Sequence, residues 1–206
     1  MTVNGDNPTM NNVHIEKRRK RMNTVVTSRE AILEAGRTLL REKGWSAVNI
    51  RSVAAQCGVS VGSIYNYFSS KTELVSATVE SIWCDIFHFS EQENNFDSFE
   101  DCIRWVFCSL KEGEERYPGF FTFHSVGFVD EDKKGGKQLM AQSWEHIRTG
   151  LCMVLKKDRK IRPDAFDGNF TPEMLSEIVF SLILSEMLQK RYSGIPILEM
   201  IRRLIY

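Results

Sequence analysis

The sequence predicts an all-α protein, in which a small N-terminal head of three helices precedes a larger C-terminal helical domain. Apolar residues recur at helical spacing along most of the 206-residue chain, and capping residues stand in front of most of these segments. No segment shows the alternation that is typical of a strand, and none reaches the roughly 18 apolar residues of a membrane span. With 42% apolar residues the chain can bury a core of its own.

Three helices are predicted in the head. Thr27 and Glu30 have the T-x-x-E spacing of a capping box, and the apolar stripe that follows ends at Gly44. Asn49 is placed to cap a short second helix and Ser60 to cap a third. The third helix is expected to bury Val61, Ile64 and Phe68, which share one side of it.

The next elements are longer. Ser70 and Glu73 repeat the capping-box spacing in front of a fourth helix, which is expected to continue to about residue 89. Ser98 is placed to cap a fifth helix, whose apolar pattern ends at Leu110. Residues 137–157 show an amphipathic stripe and predict a sixth helix.

A seventh helix is predicted over residues 171–191, because Thr171 and Pro172 form a favourable helix start. This helix is apolar on nearly every face. Such a helix must be buried on several faces, so we expect a second subunit to cover part of it.

The charge of the chain is unevenly distributed, although its net charge is zero. Residues 1–71 carry 11 basic and 5 acidic side chains, whereas residues 72–206 carry 16 basic and 22 acidic ones. This asymmetry indicates that the N-terminal part meets a polyanion. Residues 1–26 are predicted to be a disordered arm with a basic run at 16–21, which is either a solvated tail or an arm attracted to phosphates.

The stretch GVSVGSIYNYFSSKTEL joins two short helices at Gly58, as in a helix-turn-helix whose second helix enters a major groove of DNA. Gly62 and Ser63 would allow a close approach to base edges. Residues 65–67 would point away from the buried side and donate to phosphates, as would Lys71 at the start of the next helix. The alternative is that the two tyrosines only pack on neighbouring helices.

The segment AGRTLLREKGWSAVNIRSVAAQCGVSVGSIYNYFSSKTELV resembles the DNA-binding domain of TetR-family transcriptional regulators. The resemblance implies a helix-turn-helix DNA-binding domain over residues 27–72 and a ligand-binding and dimerisation domain over 73–206. Two positions depart from the family pattern, Asn49 and the apolar Val61. The implied base contacts are Arg51, Val61, Gly62 and Ser63, and the implied phosphate contacts are Asn49, Tyr65, Asn66, Tyr67 and Lys71.

The resemblance further implies a homodimer formed through the helices at about 137–157 and 171–191, and therefore a palindromic operator in double-stranded DNA. The apolar residues that we expect in this interface are Trp144, Leu151, Leu175, Val179, Phe180, Ile183, Leu184 and Met187.

The resemblance also implies that a small molecule binds among the middle helices. The aromatic, glycine-containing segment at 116–128 would suit a hydrophobic or aromatic effector, although each aromatic residue could equally be ordinary core. The predicted lining is Trp83, Phe87, Trp105, Phe107, Tyr117, Phe120, Phe121, Phe123, His124 and Trp144.

The function predicted from these observations is a repressor that an effector releases from its operator. The alternative is a DNA-bound adaptor of the same fold that recruits a protein. The sequence has no nucleophile elbow, phosphate-binding glycine loop or HExxH motif, which argues against an enzyme, and it indicates no cofactor.

The cysteines and the N-terminus give weaker indications. Five cysteines without a C-x-x-C pair predict reduced thiols in a cytoplasmic protein, and the N-terminus lacks the pattern of a secretory signal. Cys84 and His88 lie four residues apart on one helix, but a metal site needs at least one more ligand, so we predict none.

Overall fold

The computed structural model describes residues 27–87, 96–121 and 135–206, and from 135 onward it describes the side chains of 144, 145 and 147–206. Within these ranges every regular element is helical, which confirms the predicted all-α class. The predicted N-terminal arm lies outside the described residues. The elements are α1 (Arg29–Lys43), a 3-10 turn (Trp45–Ala47), α2 (Ile50–Gln56), α3 (Val61–Tyr65), α4 (Lys71–Phe87), α5 (Phe99–Arg116), α6 (Gly135–Lys157), α7 (Pro172–Leu188) and α8 (Ile195–Ile205).

None of the helices that the structure describes combines the length and the apolar character that a membrane crossing requires.

Capping side chains set the starts of the helices in the head, which we define as α1 to α3. The prediction for α1 was wrong by one residue: Ser28, not Thr27, has the extended backbone of a cap, and its Oγ accepts from the Ala31 N–H at 3.1 Å. The other two caps are confirmed. Asn49 Oδ1 accepts from the N–H groups of the second and third residues after it, and Ser60 Oγ accepts from Ser63 N–H.

The head is fixed to the rest of the molecule by close packing of α1 on α4. Gly36 of α1 faces Thr78 of α4, and a Cβ at position 36 would lie 2.9 Å from the Thr78 Oγ1. Thr78 is fully buried, and its hydroxyl donates to the Leu74 carbonyl. Because α4 packs on the head as well as on α5 and α6, the division of the chain at residue 72 stays a prediction.

Helix α5 continues to Arg116, two turns beyond the predicted end at Leu110. Gly113 explains the difference, because a Cβ there would lie 3.0 Å from Ile86, so the glycine lets α5 approach α4 closely. Just after the helix, the buried Tyr117 donates its hydroxyl to the Asp85 carboxylate at 2.8 Å. The end of α5 is therefore held by tertiary contacts that its own apolar periodicity does not show.

Helices α6 and α7 pack against each other, and α8 closes the chain against α5. Gly194 precedes α8 with a φ of 64°, directly against the ring of Phe107. The Asp158 carboxylate accepts from the first N–H of α5, that of Phe99, at 2.7 Å and also from the Tyr206 hydroxyl. Tyr206, just after α8, is thereby tied to the start of α5.

Candidate functional site

The outer surface of α3 is the first part of the candidate site. Ile64 and Phe68 are fully buried and anchor α3 to the head. The sequence pattern predicted that Val61 would be buried with them, and this was wrong, since 40% of its surface is exposed. Tyr65 and Tyr67 are exposed to 51% and 39%, so the short helix presents large aromatic side chains to the outside.

The start of α3 presents little side-chain bulk. Gly62 is exposed, and a Cβ there would meet only the Ser60 Oγ, at 3.7 Å. The Ser63 hydroxyl lies 2.9 Å from the Ser60 hydroxyl, in a hydrogen bond within the turn. Beside the outward Val61, this part of the surface could approach base edges closely.

Two of the predicted phosphate contacts make hydrogen bonds within the chain. The Tyr67 hydroxyl donates its proton to the Thr27 carbonyl at 2.6 Å, which favours the packing role that the sequence left open for this tyrosine. The Asn49 side chain caps α2, and its Nδ2 donates to the Ala47 carbonyl at 3.3 Å. Tyr65 and Asn66 remain exposed at the end of α3.

The first turn of α4 contains both a cation and an anion. Lys71 is the exposed first residue of the helix, and Ser70 Oγ accepts from the Glu73 N–H at 3.0 Å. The Glu73 carboxylate accepts from the N–H and the hydroxyl of Ser69, one residue earlier than a standard capping box would have it. These hydrogen bonds lower the pKa of Glu73, so the carboxylate is charged beside Lys71.

Two arginines of α1 form ion pairs with glutamates of the same helix, which neutralises part of the positive charge of the head. Arg37 pairs with Glu30 and Glu34 at 2.6 and 2.7 Å, and Arg41 pairs with Glu34 at 2.7 Å. Arg51, on the outer side of α2, is exposed. It is the basic side chain of α2 that could reach a nucleic acid beside α3.

A cavity of about 270 Å³ lies among α4, α5, α6 and α7 and forms the second part of the candidate site. Four residues of the predicted pocket line it: Trp83, Phe87, Trp105 and Trp144. The others that line it are Phe96, Cys102, Val106, Leu110, Ile147, Gly150, Leu151, Met153, Val154, Lys157, Phe180, Ile183, Leu184 and Met187. Burial raises the pKa of the Cys102 thiol to about 12, so the thiol in this wall is neutral.

The remaining predicted pocket residues do not line this cavity. Phe107 is buried against Gly194, and Tyr117 is bound to Asp85. Phe120 and Phe121 are fully buried in an aromatic cluster with Trp83 instead. Phe123 and His124 lie outside the described residues.

Six of the eight residues predicted for a subunit interface line the cavity of the single chain, and their role in an interface stays a prediction: Trp144, Leu151, Phe180, Ile183, Leu184 and Met187. The other two, Leu175 and Val179, are fully buried in the same chain. The large apolar side chains exposed on α7 and on the part of α6 whose side chains the structure describes are Met153, Met174, Ile178 and Leu188. The amphipathic pattern identified these helices as apolar, but not which face is covered by the chain itself.

Aromatic contacts connect the cavity to the head. Trp83 lines the cavity and meets the Phe120 ring edge-on, with centroids 5.3 Å apart. Phe120 in turn stacks on Trp45 at 5.9 Å, and Trp45 lies in the 3-10 turn directly before the cap of α2. Arg41 of α1 lies over the ring of Tyr117, 5.8 Å from its centroid.

No cluster of three or more possible metal ligands occurs in the part of the chain that the structure describes. Cys84 is exposed, although the neighbouring side chains partly desolvate its thiol, and this desolvation together with the charge of Glu80 raises the pKa of the thiol. The side chains of His88, His124 and His146 lie outside the described residues.

The fold and the α2–α3 surface define a helix-turn-helix DNA-binding protein. A family model described as "Bacterial regulatory proteins, tetR family" matches residues 32–78. The nucleoid occlusion factor SlmA of Vibrio cholerae is 30% identical over 147 residues, which cover 68% of this chain and 72% of that protein. The chain belongs to the TetR family, whose members are transcriptional regulators rather than enzymes.

Two further comparisons agree with this assignment. The uncharacterized HTH-type transcriptional regulator YvaF of Bacillus subtilis is 27% identical over 139 residues, covering 62% of this chain and 69% of that protein. The structure of SmeT, the repressor of the Stenotrophomonas maltophilia multidrug efflux pump SmeDEF, superposes with a TM-score of 0.61 at 17% identity. This match covers 89% of this chain and 93% of SmeT and shows a shared fold.

Proposed function

We propose that the protein is a cytoplasmic, dimeric repressor that binds a palindromic operator and is released from it by a small apolar effector. The observation that carries the proposal is the aromatic cavity, whose wall residue Trp83 is connected to the head through Phe120 and Trp45. A molecule bound in the cavity therefore lies two ring contacts away from the turn before α2.

In the proposed complex α3 enters the major groove of DNA. Val61, Gly62 and Ser63 lie nearest the base edges, with the Val61 side chain against a thymine methyl, and Arg51 reaches a guanine or a phosphate. Tyr65 and Asn66, both exposed, donate to phosphates beside Lys71. Asn49 and Tyr67 contribute mainly by holding α2 and α3 in place, because their side chains are engaged within the chain.

In the proposed dimer α7 meets its symmetry copy. Its exposed face carries Met174, Ile178, Ser181, Ser185 and Leu188, which recur every three or four residues and form one stripe. Proteins of this family typically dimerise, and a stripe of apolar and small side chains allows two helices to approach closely. Two heads related by a two-fold axis would contact half-sites about one helical turn apart, or a multiple of it.

Release requires that the effector prefers a conformation in which the two heads no longer match the operator. A coupling of about 1–3 kcal/mol between the two sites changes the operator affinity roughly 5- to 150-fold. The ring contacts from Trp83 through Phe120 to Trp45, together with the packing of α4 on α1, would transmit a displacement of the cavity wall to α2 and α3. An effector that binds both conformations equally would release nothing.

The proposal is tested by titrating salt against duplex DNA binding in the wild type, in Lys71→Ala and in Lys160→Ala. Lys160 is an exposed lysine after α6, far from the head in sequence, and serves as the control. We expect Lys71→Ala to lower the slope of log affinity against log salt by about one per protomer on every sequence. An unchanged slope, or an altered base preference, would contradict the phosphate contact.

A DNA-bound adaptor that recruits a protein remains the second candidate, because four similar proteins from different bacteria are named nucleoid occlusion factors. Such a protein needs an exposed docking surface but no internal cavity. The cavity favours the repressor. A thermal-shift screen of small apolar molecules on the purified protein separates the two functions, since a cavity ligand raises the melting temperature and displaces DNA.

A further inference from the structure

One face of α6 forms a wall of the cavity. Trp144, Ile147, Gly150, Val154 and Lys157 recur every three or four residues along the helix, and all five line the cavity. The first four are apolar or lack a side chain. Lys157 is the one charged residue among the lining residues that the structure describes, and it stands at the C-terminal end of this face.

Lys157 differs from its neighbour Lys156 in its surroundings. Lys156 points into the groove between α6 and α7 and pairs with Glu173. Among the described residues no carboxylate lies within ion-pair distance of the Lys157 ammonium group. The carboxylate of the adjacent Asp158 is occupied by other hydrogen bonds. It accepts from Phe99 N–H at the start of α5, from Lys160 N–H and from the Tyr206 hydroxyl.

Gly150 is a second unusual feature of the same wall. Glycine is among the poorest helix formers, yet Gly150 lies well inside the long helix α6. A Cβ at this position would meet nothing within 4 Å, so no packing neighbour requires a glycine. Gly113 is different, because its missing Cβ makes room for Ile86. At Gly150 the missing side chain leaves its space to the cavity.

We propose that the effector is an amphipathic anion, a small apolar body with a single carboxylate. The body lies among Trp83, Trp105 and Trp144 and passes over Gly150, and the carboxylate pairs with Lys157. Lys157 is exposed, so its ammonium group stands at the mouth of the cavity, where it selects an anion over its neutral isostere by a charge-assisted hydrogen bond. This inference rests on the proposed function, since it specifies the ligand of the same cavity.

The test compares carboxylates with their neutral amides of nearly equal shape: 2-naphthoate, 4-phenylbutanoate and octanoate, each beside its amide. Binding to the purified full-length protein is measured by calorimetry at neutral pH, without DNA. We expect at least one carboxylate to bind roughly two- to fivefold more tightly than its amide, as for an ion pair at an exposed lysine. Equal affinities in every pair, or no binding by any carboxylate, would overturn the inference.

Three variants locate the site. Lys157→Gln should remove the preference for the carboxylate, whereas Lys156→Gln, which changes the neighbouring lysine on the other side of the helix, should keep it. Gly150→Leu should block both members of the pair by filling the cavity, and its helical circular dichroism should match that of the wild type. A carboxylate preference that survives in Lys157→Gln, or binding that survives in Gly150→Leu, would contradict the site.

Adding operator DNA distinguishes this inference from the proposed function. A carboxylate that binds with the expected variant pattern but leaves DNA bound supports the inference and contradicts effector release. A different outcome would be that neutral molecules bind in the cavity and release DNA equally well from the wild type and from Lys157→Gln. That result would support release by an effector and would overturn the inference that the effector is an anion.

Discussion

Single residues fix this fold where two elements approach more closely than side chains normally allow. Gly194 is the clearest example: its φ is 64°, and a Cβ there would lie 2.3 Å from the Phe107 ring. Gly36 and Gly113 also allow a close approach, to Thr78 and Ile86, but a Cβ at these two positions would be less crowded than at Gly194. The sequence does not distinguish these glycines from glycines of exposed loops, because the neighbour that requires them is far away along the chain.

Gly194→Ala is expected to lower the free energy of unfolding by at least about 2 kcal/mol, since it adds both backbone strain and overpacking. Urea denaturation of the full chain measures the change. Gly168→Ala is the matched control, because a Cβ at position 168 meets nothing within 4 Å. Equal stability of the two variants would contradict the packing described around Phe107.

Asp85 gives the structure a defined response to acid. Burial of its carboxyl opposes ionisation, but hydrogen bonds from Arg116 and Tyr117, both at 2.8 Å, prevail and hold its pKa below the ordinary value of 3.8. Because the folded pKa lies below the unfolded one, the contribution of Asp85 to stability is present above about pH 4 and is lost as the pH falls through the folded pKa.

Asp85→Asn should therefore destabilise the protein at neutral pH and reduce the loss of stability between about pH 5 and about pH 2. Unfolding curves collected across this range test the expectation. Wild type and variant losing stability in parallel would show that this carboxylate does not contribute to the acid response.

At the scale of helices, local chemistry made the starts predictable. Asn49, Ser60, Ser98 and Thr171 all cap the helices that they were expected to cap. A capping bond spans only two or three residues, so the sequence contains both partners. The end of α5 and the inward faces of α6 and α7 were not predictable in this way, because periodicity shows that a face is apolar but not what covers it.

The cap of α2 can be separated from a DNA contact by substitution at Asn49. Asn49→Ala should lower the free energy of unfolding by about 1 kcal/mol, and Asn49→Ser should retain most of it, since serine also caps well. If capping is the main role, DNA affinity measured by fluorescence anisotropy should be close to wild type in Asn49→Ser and lower in Asn49→Ala. Equal losses of affinity in both variants would instead indicate a direct contact from the amide.

At the scale of the whole molecule, the protein combines a DNA-binding head with an apolar cavity, and the proposed function adds a second subunit. The resemblance of the head sequence to TetR regulators predicted the family and the fold, because these positions are constrained by a common geometry of α2 and α3. The cavity lies in a part of the chain without a shared motif. Its walls depend on which faces of α4, α5, α6 and α7 turn inward, and only the structure defines them.

The dimer is tested by placing a charge on the exposed stripe of α7. Ile178→Lys should convert the protein to a monomer at micromolar concentration and weaken operator binding, because burying an unpaired ammonium group is costly. Ile195→Lys is the control, since Ile195 is even more exposed but lies at the start of α8. Sedimentation velocity measures both, and a dimer that survives in Ile178→Lys would place the interface elsewhere.

The most direct test of the central claim is selection of bound duplexes from a random DNA library by the purified wild-type protein. The account predicts enrichment of a two-fold symmetric motif with half-sites about one helical turn apart, or a small multiple of that distance, and loss of the motif when Gly62 and Ser63 of α3 are replaced by leucine. Enrichment of no sequence, or of a motif without two-fold symmetry, would contradict the account.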